Sequence, residues 1–295
     1  MNRSPLFILF LRSVSLSPLP SPVLQYIRRI VVNTFLESEA ESAEYLRLNK
    51  RTGNGKIFCI CMYVAFSLTC IHYFMDASFT AGFLRNIGAK GLGAAFEHLM
   101  YSSPKAKLWS LAWWAVLIIT FYFVIPASII LIGFHEKLSN YGLRLNNAFK
   151  DIRLYAVMLC VMVPLVLYFS STKSFQARYP FYEVAPGESL FPDFMIWECL
   201  YFLQFFSLEF FFRGFMVHGL KQRFGFYSVF IMTIPYCMIH FGKPMPETIA
   251  AIIAGIVLGV LSLKSRSVYL GVLIHYSVAI TMDLCSLWHK GTWSH

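Results

Sequence analysis

Residues 207–216 read SLEFFFRGFM, which places Glu209 and Arg213 four residues apart inside one of the most apolar runs of the chain. A charged side chain in apolar surroundings is costly unless it is paired. Residues at positions i and i+4 share one face of a helix, so Glu209 and Arg213 can form an ion pair. The stretch therefore predicts a polar site inside a bundle of apolar helices.

The composition is that of a membrane protein. Of the 295 residues, 57% are hydrophobic and only 14% are charged, and the mean hydropathy is +0.59. Soluble domains carry about 25% charged residues. The net charge of +10 would suggest a nucleic-acid partner in a soluble protein. In a membrane protein we expect these charges in loops that face anionic lipid, and we predict no nucleic-acid partner.

The hydrophobic windows predict an all-α polytopic membrane protein with a bundle of about seven transmembrane helices. A spanning helix needs about 20 mostly apolar residues. Seven windows qualify, at 57–75, 108–134, 153–170, 193–219, 226–242, 247–263 and 267–287. We divide the chain into a leader (1–56), N-terminal transmembrane helices with their loops (57–192) and a catalytic core of four helices (193–288).

The leader holds an apolar run, PLFILFL at 5–11, that is too short to span, and a predicted amphipathic surface helix around 23–36. With the N-terminus inside, the inner segments carry sixteen Lys and Arg residues and the outer segments carry eight. Positive residues concentrate on the cytoplasmic side. This bias predicts a cytoplasmic N-terminus. The short leader and compact loops favour a bacterial inner membrane.

Two histidines and a second glutamate are expected near the Glu209–Arg213 pair. His240 ends the segment YCMIH, and His275 lies in GVLIHYSVA. Counting the helical rise from the turns near residues 223 and 265 puts these side chains at neighbouring depths. Glu247 follows two prolines, so it begins the next helix near the level of His240. It has no charged partner that the sequence identifies. These groups predict one catalytic constellation.

Asp283 is a weaker candidate. It lies two helical turns after His275. From there it can orient the imidazole or cap the end of the helix. We assign it a supporting role.

Three segments, EFFFRGF, YCMIHFGKPMPE and LGVLIHYSVA, resemble the motifs of the type II CAAX prenyl endopeptidase and bacteriocin-processing (CPBP or Abi) family. The resemblance covers about 193–285. It implies an intramembrane protease whose site residues here are Glu209, Arg213, His240 and His275. Tyr236 stands where the family usually has Phe, and we assign it a supporting role. The implied substrate is a membrane-associated protein or a lipidated, CAAX-type peptide in the lipid bilayer.

Two positions depart from the family pattern. The family usually has two adjacent glutamates and takes the first to activate water, but that position is Leu208 here. The third motif ends in Ala279, so the Asn side chain of the prenyl-protease branch is absent. Glu247, seven residues after His240, is the natural substitute for the missing acid. The single-glutamate motif with GKPMPE favours a bacterial branch of the family.

The mechanism that we expect is peptide hydrolysis by a water that a glutamate activates, with no cofactor. Glu209 or Glu247 acts as the general base, and Glu247 is favoured because Arg213 already engages Glu209. His240 shares the water, and His275 donates to the oxyanion.

Two alternatives stay open. Two histidines with a carboxylate would suit catalytic zinc, although no HExxH pair is present. Leu208 favours the other alternative, a non-catalytic scaffold or immunity-type pseudoprotease. A proton-relaying transporter fits less well, because the sequence shows no inverted repeats.

Overall fold

The computed structural model describes residues 21–48, 54–146, 148–149, 151–184 and 187–292. The described residues are mainly helical and include no strand, so the predicted all-α fold is confirmed. We number the principal helices in chain order. They are α1 (Pro22–Leu48), α2 (Asn54–Phe74), α3 (Ala77–Asn86), α4 (Lys90–Tyr101), α5 (Ala106–Gly133), α6 (Ile152–Ser170), α7 (Asp193–Glu209), α8 (Gly219–Phe224), α9 (Ser228–Met238), α10 (Met245–Ser265) and α11 (Tyr269–His289).

Six helical stretches in the described chain are long and apolar enough to cross a membrane, which confirms a polytopic membrane protein. The sequence windows number seven because the fourth and fifth fall within one 46-residue helical stretch, Asp193–Met238. Within it, Gly225 adopts a positive φ of 53°, a conformation that favours glycine. A 3₁₀ turn over Gly225–Tyr227 follows. Beyond this turn α9 packs back against the segment before α8, so the chain reverses there.

The helix α7 continues without a break into a π-helical segment, Phe210–His218, which contains most of the SLEFFFRGFM stretch. All nine of its residues are buried. Its Phe211 ring stacks on Tyr122 of α5, with the ring centroids 4.3 Å apart. A helix that is buried on every side occupies the centre of a bundle. π-helical turns are rare overall, and those that occur frequently lie at functional sites.

The first described helix is longer than the surface helix predicted at 23–36. Helix α1 extends to Leu48, so most of the polar segment after residue 36 is helical. It packs against α8 and α10, and the Phe226 backbone N–H donates to Glu39, 3.1 Å away. The apolar run at 5–11 lies outside the described residues.

Candidate active site

An apolar cavity of about 1540 Å³ lies between α1, α6 and the helices of the C-terminal core. Its wall is built mainly from Leu, Ile, Val, Met and Phe side chains of these helices. Large apolar cavities with a few convergent polar groups are the usual form of a binding site. The polar side chains on its wall include Gln204, Tyr236, His240, Lys243, Glu247 and His275.

Glu209 and Arg213 form the ion pair that their spacing predicts. Arg213 Nη1 lies 3.0 Å from Glu209 Oε1, and neither residue is exposed. The guanidinium also stacks over the Tyr236 ring at 4.0 Å, a cation–π contact, and Nη2 donates to the Ala254 carbonyl oxygen at 3.4 Å. A desolvated ion pair needs such additional partners to be tolerated, and these contacts hold the Arg213 guanidinium beside Glu209.

His275 joins this pair from α11. Its Nδ1 lies 2.9 Å from Glu209 Oε1, and its ring packs on Phe205 with the centroids 4.5 Å apart. A carboxylate only accepts hydrogen bonds, so Nδ1 carries the proton and donates it. In the neutral imidazole Nε2 is then an acceptor. This tautomer favours a base role for His275 rather than the donor role that we expected from the sequence.

His240 packs against Tyr236. Its Nδ1 donates to the Tyr236 carbonyl oxygen at 2.8 Å, and its ring is centred 4.9 Å from the Tyr236 ring, whereas His275 is 6.2 Å from that ring. His240 falls between two spanning helices. Burial, with Lys243 nearby, lowers the pKa of His240 to about 3. The imidazole is therefore neutral at pH 7, and its Nε2 is an acceptor.

Glu247 has partners that sequence reasoning missed. Lys243 Nζ lies 2.6 Å from Glu247 Oε1, and the Tyr179 hydroxyl donates to both carboxylate oxygens at 2.9 Å. The expectation that Glu247 lacks a charged partner was wrong, because Lys243 precedes it by four residues. Burial and the neighbouring carboxylate raise the pKa of Tyr179 well above 10, so it remains a donor. Among the described residues on the cavity wall, Glu247 is the one carboxylate.

Asp283 does not contact His275 in the described structure. It is fully buried beside Trp197 and interacts with Glu198, which is 4% exposed. Glu198 in turn accepts a hydrogen bond from the Tyr276 hydroxyl at 3.3 Å. The structure thus brings Glu209, Arg213, Tyr236, His240 and His275 together, puts Glu247 on the same cavity, and places Asp283 in a separate carboxyl pair.

Two further residues belong to the site, and sequence reasoning missed both. Gln204 lies on the cavity wall one turn before Leu208, is 4% exposed, and its Nε2 has no hydrogen-bond partner in the described part of the chain. Gly271 faces Glu209, since a Cβ atom added to it would lie 2.5 Å from Oε2. The helical spacing of Gln204 to Leu208, and of Gly271 to His275, was the available signal.

The described residues do not complete a metal site. The His240 and His275 imidazoles both use Nδ1 in a hydrogen bond, which leaves Nε2 available to a ligand. Histidine ligands of zinc show the same pattern. A catalytic zinc ion needs three protein ligands. Over the described residues, no three His, Cys, Asp or Glu side chains form a group that could hold a metal ion.

Fold and site together define a polytopic all-α membrane protein with a buried Glu–Arg–His cluster beside an apolar cavity. Residues 191–281 match the family model described as type II CAAX prenyl endopeptidase Rce1-like. The resemblance seen in the sequence is therefore confirmed for this region, which is similar to that family. Assignment to a bacterial branch stays a prediction. No curated protein and no solved structure matches the chain.

Proposed function

We propose that the protein is an intramembrane endopeptidase that hydrolyses a peptide bond of a membrane-associated protein or lipidated, CAAX-type substrate. The observation that carries the proposal is the contact between the buried Glu209 and His275, whose side chain lies on the cavity wall. A carboxylate that fixes the tautomer of an imidazole is a recurring arrangement for general-base catalysis. The apolar cavity suits a substrate that enters from lipid.

In the proposed reaction His275 Nε2 takes a proton from a water molecule. The water oxygen attacks the peptide carbonyl, and the imidazolium later returns the proton to the leaving amine. Glu209 stabilises the positive charge that forms on His275, and Arg213 holds Glu209 in place. The glutamate thus activates water through the imidazole. The neutral His240 accepts the second hydrogen of the same water.

Gln204 supplies a donor for the oxyanion. The third motif ends in Ala279, which lies on the cavity wall and carries no amide. Helices α7 and α11 pack together, so the Gln204 amide reaches the cavity from the facing helix. A donor aimed at the developing oxyanion is often the largest single stabilising interaction in acyl transfer. Its buried Nε2, unpartnered among the described residues, supports this role.

The competing base is Glu247, and variant kinetics decide between the two. The assay is cleavage of a membrane-tethered reporter by purified protein. Loss of a general base lowers turnover by about 10²- to 10⁴-fold. We expect this loss in His275→Gln and Glu209→Gln, and a smaller loss in Glu247→Gln, whose side chain anchors Lys243 and Tyr179. Glu97→Gln, at an exposed carboxylate, is the control. Full loss in Glu247→Gln with an active His275→Gln would make Glu247 the base.

The same assay tests the two remaining alternatives. Activity that a strong chelator removes, with stoichiometric zinc in the sample, would replace the metal-free mechanism with a zinc protease. If the wild type cleaves nothing in a broad set of membrane substrates, Leu208 marks a pseudoprotease, and the scaffold function replaces the enzyme.

We also propose that the N-terminus is cytoplasmic, on the basis of the Lys and Arg distribution, and that the membrane is a bacterial inner membrane, on the basis of the compact loops. The loop around Gly187 then faces outwards. A cysteine placed at Gly187 in a cysteine-free background should react with an impermeant thiol reagent added to intact cells. Protection of that cysteine, with labelling only after lysis, would reverse the orientation.

A further inference from the structure

A cluster of basic side chains lies at the end of the core where α1, α8 and the α10–α11 turn meet. Glu41 of α1 contacts both Lys221 and Arg266, with its Oε2 3.2 Å from Lys221 Nζ. The loop before α6 joins them, because the Val268 backbone N–H donates to the Gly142 carbonyl oxygen at 3.1 Å. Arg144 follows Gly142 by two residues. Lys221 and Arg266 therefore share one carboxylate, and Arg144 lies close enough to Lys221 to act on it electrostatically.

Two buried nitrogen atoms in this cluster have no hydrogen-bond partner in the described structure. They are Arg144 Nε and His218 Nδ1. His218 is 3% exposed, and its Nε2 shares a hydrogen bond with the Ser262 hydroxyl at 3.1 Å. Arg144, Lys221 and Arg266 all act electrostatically on His218, which places it within the cluster. Arg144 Nε is always a donor, and His218 Nδ1 is a donor in the tautomer whose Nε2 accepts from the Ser262 hydroxyl. Buried polar atoms are nearly always hydrogen-bonded, so the two atoms in this state lack an acceptor.

We propose that this cluster binds a phosphate group. Phosphate oxygens are strong acceptors, and arginine side chains are well suited to them. The side chains of Lys221 and Arg266 are 18% and 48% exposed, so a ligand can reach the site from solvent. Helix α1 beside it exposes Val23, Leu24 and Tyr26, apolar residues typical of a helix on a lipid surface. The phosphate belongs to an anionic lipid headgroup or to a soluble phosphate compound.

The test is native mass spectrometry of the full-length protein in neutral detergent, titrated with phosphatidylglycerol. An anionic surface contributes roughly a fivefold change in affinity for each nearby cation. We expect Arg144→Gln and Lys221→Gln each to weaken binding by about fivefold, whereas Arg223→Gln, an exposed cation on the same short helix, leaves it unchanged. Arg144→Lys should bind with intermediate affinity, because it keeps the charge but loses the Nε donor.

Competition with inorganic phosphate separates the two ligand sources. Displacement of the lipid by millimolar phosphate assigns the site to a soluble phosphate compound, and lack of displacement assigns it to a lipid headgroup. If Arg144→Gln does not fold, as judged by its melting temperature, Arg266→Gln takes its place because that side chain is half exposed. Equal affinity in wild type, Lys221→Gln and Arg223→Gln would overturn the proposal.

Discussion

His275 Nδ1 donates a hydrogen bond to Glu209 Oε1 across 2.9 Å. This contact joins α7 and α11, although the two residues are 66 positions apart in the sequence. The same carboxylate oxygen lies 3.0 Å from Arg213. One buried carboxylate oxygen therefore contacts both the Arg213 guanidinium and the His275 imidazole. The position of His275 at the cavity wall depends on this shared anchor, and each prediction below changes the anchor or the groups around it.

Replacing Arg213 should destabilise the protein. Arg213→Ala leaves Glu209 as an unpaired charge with no exposure, and breaking a buried pair costs about 3–5 kcal/mol. Arg213→Lys should restore only part of this, because an ammonium cannot reproduce the guanidinium stack on Tyr236. The measurements are melting temperature in detergent and reporter cleavage. Wild-type stability in Arg213→Ala would show that the pair contributes nothing.

Gly271→Ala should displace the Glu209 carboxylate. The added methyl would lie 2.5 Å from Oε2, closer than real Cβ contacts allow. Overpacking of this kind costs about 1–3 kcal/mol, and the shift removes His275 from its anchor. We expect loss of cleavage larger than the loss of stability. Gly82→Ala is the control, since a Cβ there has no neighbour within 4 Å. Equal activity of the two variants would contradict the proposed anchor.

Leu208→Glu should raise turnover. Leu208 lies on the cavity wall. It occupies the position where the type II CAAX prenyl endopeptidase family usually has its water-activating glutamate. A second base beside the water should increase the rate by up to about a hundredfold. Leu208→Gln, similar in size but without a basic oxygen, should give no increase. A gain in both variants would indicate better hydration of the cavity rather than base catalysis, and a gain in neither would remove Leu208 from the site.

Gln204→Leu should lower kcat with little effect on KM, because an oxyanion donor acts mainly in the transition state. Removing one such donor costs about 10²- to 10³-fold in kcat. Adding Ala279→Asn to this variant should recover part of the rate, since it supplies an amide from the facing helix. If the double variant Gln204→Leu, Ala279→Asn has a normal melting temperature but recovers no kcat, the two positions do not share the role of oxyanion donor.

Acid should destabilise the wild type through His240. The unfolded chain takes up a proton near pH 6.5, whereas the folded pKa is about 3, so stability falls as the pH drops below 6.5. Between pH 7 and pH 5 this amounts to about 2 kcal/mol. His240→Asn retains a donor for the Tyr236 carbonyl but does not titrate. The melting temperature of this variant should fall less between pH 7 and pH 5 than that of the wild type. An identical fall in both proteins would contradict the lowered pKa of His240.

Much of the site was readable from the sequence because helical periodicity is local. The i,i+4 spacing of Glu209 and Arg213 predicted their ion pair, and the apolar windows predicted most of the spanning helices. Contacts that depend on helix rotation and on loops were not readable. Tyr179 approaches Glu247 from a distant loop, and Asp283 faces Glu198 rather than His275. The Lys243–Glu247 pair was readable but overlooked, since it has the same spacing.

The cavity wall extends beyond the region that defines the family. Four side chains of α1 line it, namely Ile27, Ile30, Val31 and Phe35, and α6 contributes another face. The segment that matches the family model, 191–281, is therefore smaller than the unit that encloses the cavity. Without α1 and α6, the cavity beside this segment would be open to lipid. If the proposed function is correct, sequence changes in α1 and α6 can alter substrate selection without changing Glu209, His240 or His275.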